Sequence, residues 1–182
     1  MKRSLFILLL GLTLLSSCKS TPKVRLYQDA ERDFLAALTI NDTLSVLSLG
    51  QNFMGALKAG EIDDALQDLC VVHENVLYHV ADESLAQLKS RFRKFPVADY
   101  QLVSYSFSTP GINDLVYRYS ISGELGSGPA MKLTFNPVKV EGSWYLTLKD
   151  AYTSSKELAP EDQISPYAPA PDTLRLNRRP QN

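Results

Sequence analysis

The chain has 182 residues, a formal net charge of −1 and an apolar share of 45%, which suits one globular domain with flanking segments. That charge balance leaves no surplus of Lys and Arg to displace counterions, so no nucleic-acid partner is expected. Two histidines, His73 and His79, and two cysteines, Cys18 and Cys70, are too few for a metal cluster, and no metal or cofactor site is expected.

Residues 1–18, MKRSLFILLLGLTLLSSC, begin with Lys2 and Arg3 and continue in an apolar run from Leu5 to Leu15. The run is short of the about twenty residues that span a bilayer and has the length of a secretory segment. It closes on Leu15-Ser16-Ser17-Cys18. This resembles the bacterial lipobox, which implies a signal peptide over 1–17 and acylation of Cys18 as the mature N-terminus. Several acyl chains would anchor the protein to a membrane without spanning it. Cys18 is then committed to lipid, and no intramolecular disulfide forms. Exported surface lipoproteins tend to carry acidic residues after the cysteine; Lys19 stands here instead. By that resemblance the expected location is the cell envelope, on the periplasmic face of the outer membrane.

Residues 18–42 read as a lipidated tether followed by a helical pattern, with Tyr27, Ala30, Phe34 and Leu38 on one face, which suits a helix laid on the domain and equally a partly ordered spacer. Asn41, Asp42 and Thr43 offer N-cap side chains for a second helix. In that helix Val46, Leu49, Phe53 and Leu57 share a face, and Gly60 provides a left-handed stop. A third helix, with Ile62, Ala65, Leu66 and Leu69 on its apolar side, runs to Cys70; this lone thiol reads as a small core residue. Asn75 to Val80 predicts a strand. Asp82 caps a helix with Leu85, Leu88, Phe92 and Phe95 on one side and Lys89, Arg91, Arg93 and Lys94 on the other, stopped by Pro96. The basic side suits an anionic partner, although a solvated helix face is the simpler reading.

From Tyr100 the period becomes two. Val103, Tyr105 and Phe107 share a face, as do Leu115, Tyr117, Tyr119 and Ile121, and then Met131, Leu133 and Phe135. Glu141-Gly142 predicts a two-residue hairpin turn. With that turn Val140 faces Ser143, Lys139 faces Trp144, Pro137 faces Leu146 and Phe135 faces Leu148, and a one-residue slip would put the apolar residues in water. Pro137 cannot donate to a ladder, which predicts a bulge or an edge there. Residues 151–182 hold five prolines, Pro160, Pro166, Pro169, Pro171 and Pro180, and no period, the composition of a disordered tail.

The expected architecture over 43–150 is α+β, with helices on one face of a curved antiparallel sheet. FMGALKAGEIDDALQDL at 53–69, the strand near Tyr78 and GSWYLTLKD at 142–150 resemble the nuclear transport factor 2-like family, the cone-shaped fold of ketosteroid isomerases and polyketide cyclases. The whole is similar to small lipoproteins of Bacteroidota. The resemblance implies a cone interior whose lining would include Tyr105, Tyr117, Tyr119, Trp144 and, at the mouth, His79. Family enzymes place an Asp or His base there. The strand faces offer no carboxylate or histidine, so no catalytic residue is assigned.

The expected function is a membrane-anchored, non-catalytic binding lipoprotein that meets a protein or a small molecule. An accessory lipoprotein acting through its tail is the first alternative. A cyclase or isomerase using His79, Asp82 and the interior tyrosines is the second. An open sheet face would also suit a homodimer.

Overall fold

The computed structural model describes residues 22–74 and 76–149. Residues 1–21, Asn75 and everything from 150 onwards lie outside that description, and with them Cys18, the signal segment and the proline-rich tail.

Helix α1 (Pro22–Ala37) starts with proline in its first turn, where a missing N–H costs nothing. Helix α2 (Ile40–Ala59) is capped by Thr39, and not by Asn41, Asp42 or Thr43 as the sequence suggested. The Asp42 N–H donates to Thr39 Oγ1 at 3.2 Å, and the Thr39 N–H donates to the Asp42 carboxylate at 2.8 Å. This reciprocal box satisfies two donors that a helix start leaves unpaired. Gly60 ends α2 in the left-handed region at φ 81°, as the spacing predicts. Helix α3 (Ile62–Gln67) begins just past it, with Asp63 and Asp64 in its first turn.

The next stretch departs from expectation. Strand β1 (Cys70–His73) pairs antiparallel with β2 (Val76–His79), so Cys70 starts a strand instead of closing a helix. The β-branched Val71 and Val72 favour the extended backbone, and Glu74 takes a positive φ of 48° at the turn. Leu69 makes a parallel bridge to Leu146, which joins the hairpin to the main sheet. Helix α4 (Asp82–Lys94) has Ala81 at its N-cap with no side-chain cap bond. Asp82 is therefore its first helical residue, where a carboxylate complements the helix dipole without capping.

Strands β3 (Asp99–Thr109), β4 (Ile112–Ser120), β5 (Ala130–Val140) and β6 (Ser143–Leu148) form an antiparallel meander in chain order. The molecule is thus a mixed α+β fold with a four-stranded and a two-stranded antiparallel sheet. The β5–β6 register is the predicted one, from Val140 opposite Ser143 to Phe135 opposite Leu148. Glu141 and Gly142 both take positive φ, 48° and 85°, the pairing that matches strand twist in a two-residue turn.

Helix α2 lies across β3, β4 and β6. Phe53 projects from it into the core, with ring centroids 5.0 Å from Phe135 and 6.2 Å from Phe92 of α4. Phe53, Tyr119, Phe135, Leu115 and Leu146 are fully buried. The close approach of α2 to the sheet depends on Gly50. A Cβ there would come within 2.4 Å of Leu115 Cδ2 and 2.9 Å of the Tyr117 ring and hydroxyl.

Two register shifts interrupt the β3–β4 ladder, between Leu102 and Ser104 and between Phe107 and Thr109. The expected common face of Val103, Tyr105 and Phe107 is broken there, because Val103 is the extra residue of a bulge and is 60% exposed. Pro137 causes no slip against β6. It lies beyond Phe135, the last β5 residue paired with β4. The buried Asn113 side chain serves its carbonyl, donating from Nδ2 to Pro137 O at 2.7 Å. Asn113 also accepts from the Ser108 N–H at 3.0 Å and donates its own N–H to Asn136 Oδ1 at 2.7 Å. One asparagine therefore knits β3, β4 and β5 where their ladders separate.

Candidate functional site

The five side chains expected to share a pocket are placed in four different settings. Tyr117 and Tyr119 are 3% and 0% exposed on the inner face of β4. Tyr105 is 46% exposed on β3. Trp144 is half-buried on β6, and His79 is exposed at the end of β2. Asp82 is also exposed, and no hydrogen bond or ion pair joins it to His79 among the described residues.

The two buried tyrosines belong to the core. Burial pushes the Tyr117 hydroxyl up to about 12, with Tyr100 beside it adding to the effect. Its ring meets Tyr100 and Phe135 edge-on at 6.0 and 6.1 Å. The Tyr119 hydroxyl donates to Met131 Sδ at 3.4 Å. Burial raises its pKa, while the Arg91 guanidinium opposes that shift. Both hydroxyls are thus protonated at neutral pH and offer hydrogen bonds but no anionic base.

Trp144 lies at the centre of a different constellation. Its indole Nε1 donates to Asp42 Oδ1 at 2.8 Å, and Lys139 Nζ donates to the same oxygen at 2.6 Å. Oδ2 accepts from the Thr39 N–H and from Thr39 Oγ1, each at 2.8 Å. Lys139, Thr39 and Trp144, in that order of first effect, hold the Asp42 carboxyl well below the usual carboxylate range. Lys139 Nζ also sits 5.7 Å from the Trp144 ring centroid, in cation–π range. A carboxylate with four donors is a clasp: it fixes the Trp144 ring and has little capacity to take a proton.

The clasp orients a run of aromatic rings. Phe34 of α1 stands 6.3 Å from Trp144, Trp144 stands 5.4 Å from Phe107, and Phe107 stands 6.0 Å from Tyr105. The first three are half-buried and Tyr105 is the most open. Amphipathic aromatics with one face packed and one face accessible are the side chains that binding surfaces favour. Exposed Val103 and Ile112 extend the apolar character of the same β3–β4 hairpin. The sequence pointed to Tyr105 and Trp144 here and missed Phe34, Phe107, Asp42 and Lys139. Lys139 was legible as the cross-strand partner of Trp144, but no local pattern announces a carboxylate arriving from 102 residues away.

Two cations of the basic helix face singled out by the sequence are engaged within the fold. Lys89 of the basic α4 face pairs with Asp63 at 2.7 Å, and Lys94 stacks over Phe95 at 5.3 Å. The Cys70 thiol is buried and pushed up to about 12 by that burial. Among the described residues no group of three His, Cys, Asp or Glu side chains is placed to hold a metal ion. None of the described helices is long and apolar enough to cross a membrane. No family model, curated protein or solved structure matches the chain.

Proposed function

We propose that the protein is a non-catalytic binding lipoprotein of the bacterial cell envelope. It is held to a membrane through acylated Cys18 and recognises a protein or small molecule with its aromatic strip. The observation that carries the binding half is the continuous run Phe34–Trp144–Phe107–Tyr105, held at Trp144 by the Asp42 clasp and open at Tyr105. Rigid rings lose little conformational freedom on binding, so a strip whose Trp144 is already held by a hydrogen bond is pre-organised for an apolar or aromatic partner. The anchoring half rests on the apolar run that ends in Leu15-Ser16-Ser17-Cys18.

The order of helix pair, hairpin, helix and four-stranded meander supports a nuclear transport factor 2-like cone as the architecture. In this reading the inner tyrosines are core and the recognition surface lies on the sheet edge and the last hairpin. The outer membrane, periplasmic face, is the proposed location, following the Lys19 that succeeds the cysteine.

Deuterium exchange tests the reading on the acylated protein, in its own membranes and after purification. Protection of 102–108 and 141–146 in the membrane sample, lost on purification, is the expected result. Equal exchange of those segments in both samples contradicts it.

A further inference from the structure

Helix α1 begins with two large apolar side chains that the domain leaves exposed. Leu26 is 70% and Tyr27 49% exposed. Helix α1 starts at Pro22, four residues after Cys18. Extended chain covers at most about 3.5 Å per residue, so the helix start lies within about 14 Å of the cysteine. At 1.5 Å rise per residue Leu26 is about 6 Å further along the axis. Both distances are comparable with the thickness of a headgroup layer and the depth at which interfacial helices settle.

The charge of the segment has one sign. Lys19, Lys23 and Arg25 fall between Cys18 and Gln28, and the first acidic residue is Asp29. The acidic residues that follow are partly answered within the helix, since Arg32 pairs with Asp29 at 3.1 Å and with Asp33 at 3.2 Å. The uncompensated cationic charge is therefore confined to the first two turns, nearest the cysteine, beside the more exposed of the large apolar residues of α1, whose third, Leu35, is 41% exposed. Tyrosine beside lysine and arginine is the composition that settles at an anionic membrane surface.

We propose that the first two turns of α1 rest on the membrane that carries the Cys18 lipid, with Leu26 and Tyr27 at headgroup level, in a stretch whose sequence carries only positive charge before Asp29 and so complements anionic lipid. The inference rests on the acylation of Cys18 proposed above. Its consequence is orientation: a lipid on a flexible tether leaves a domain free to tumble, whereas a docked helix fixes which face of the domain looks away from the bilayer.

The test uses the full acylated chain with Ala30→Cys, one turn beyond Leu26, carrying an environment-sensitive fluorophore. Cys18 is blocked by its lipid and Cys70 by burial, so the label goes to one site. The protein is reconstituted in phosphatidylethanolamine–phosphatidylglycerol vesicles containing headgroup-level spin-labelled lipid, with Ser122→Cys as the comparison site. Quenching about threefold stronger at Ala30 than at Ser122 is expected. Adding Leu26→Asp and Tyr27→Asp should lower it to the Ser122 level while the protein stays on the vesicles. An acyl mass on Cys18 with equal quenching at the two sites, or quenching that survives the double substitution, overturns the docking and leaves the anchor standing. Absence of the acyl mass overturns both.

Discussion

The Asp42 carboxylate and the Trp144 indole are joined by a 2.8 Å hydrogen bond that ties the first turn of α2 to the last hairpin of the sheet. The same Asp42 closes the capping box of α2 and neutralises Lys139. One side chain therefore begins a helix, sets a tryptophan rotamer and links elements from opposite ends of the domain. Its effects are separable by substitution.

Asp42→Asn keeps the shape and removes the charge. Asp42 and Lys139 side chains are 12% and 25% exposed, so the pair is only lightly screened. Losing charge-assisted bonds and leaving Lys139 without its counter-ion should cost about 2–3 kcal/mol. The urea midpoint reads the loss. Trp144 is the sole tryptophan, so its emission should also move to longer wavelength as the indole is freed.

The same carboxylate sets a pH dependence. Its folded pKa is depressed, so its stabilisation is complete above the unfolded value of about 3.9 and is lost as pH falls through the folded one. Stability measured from pH 6 down to pH 2, about the span where carboxylates protonate, should fall more steeply in the parent than in Asp42→Asn. Parallel curves would remove Asp42 from the acid response.

Gly50→Ala pits helix propensity against space. Alanine gains about 1 kcal/mol over glycine inside a helix. Against that, the new Cβ would stand 2.4 Å from Leu115 Cδ2, and Leu115 is fully buried. Overpacking of about 1–3 kcal/mol should win at so close an approach, giving a net loss of up to about 2 kcal/mol in chemical denaturation. A stabilised variant would mean that α2 can move off the sheet at little cost.

Asn113→Leu removes the side chain that serves Ser108 and Pro137 from a position 2% exposed. The buried Pro137 carbonyl and the half-buried Ser108 N–H lose their partner, and a destabilisation of about 2–4 kcal/mol is expected. Exchange of the Ser108 amide should rise beyond what the global loss explains, since that N–H donates directly to Asn113.

These positions also mark what could be read from the sequence. The β5–β6 register was legible because Glu141-Gly142 determines the turn and the pleat then determines every partner. The Gly60 stop was legible for a similar local reason. The bulge at Val103 was not, since an alternating run looks the same with one residue inserted until a neighbouring strand counts it. Strand β1 was hidden because Cys70, Val71 and Val72 continue an apolar stretch that suits a helix end equally well. Within the candidate site, the aromatic character of Tyr105 and Trp144 was visible. Their ordering through Phe107 and Asp42 depends on contacts across the fold. Tyr117 and Tyr119 looked like pocket residues because strand alternation identifies an inner face without saying whether that face is filled.

The most direct test of the aromatic strip compares the acylated parent with its Tyr105→Ala variant by native mass spectrometry, each extracted gently from its own membranes. Tyr105 is exposed and makes no buried hydrogen bond among the described contacts, so both proteins should unfold at the same urea concentration. The account predicts a bound molecule or protein partner on the parent and its loss from the variant. An equal complement on both, or none on either, contradicts it.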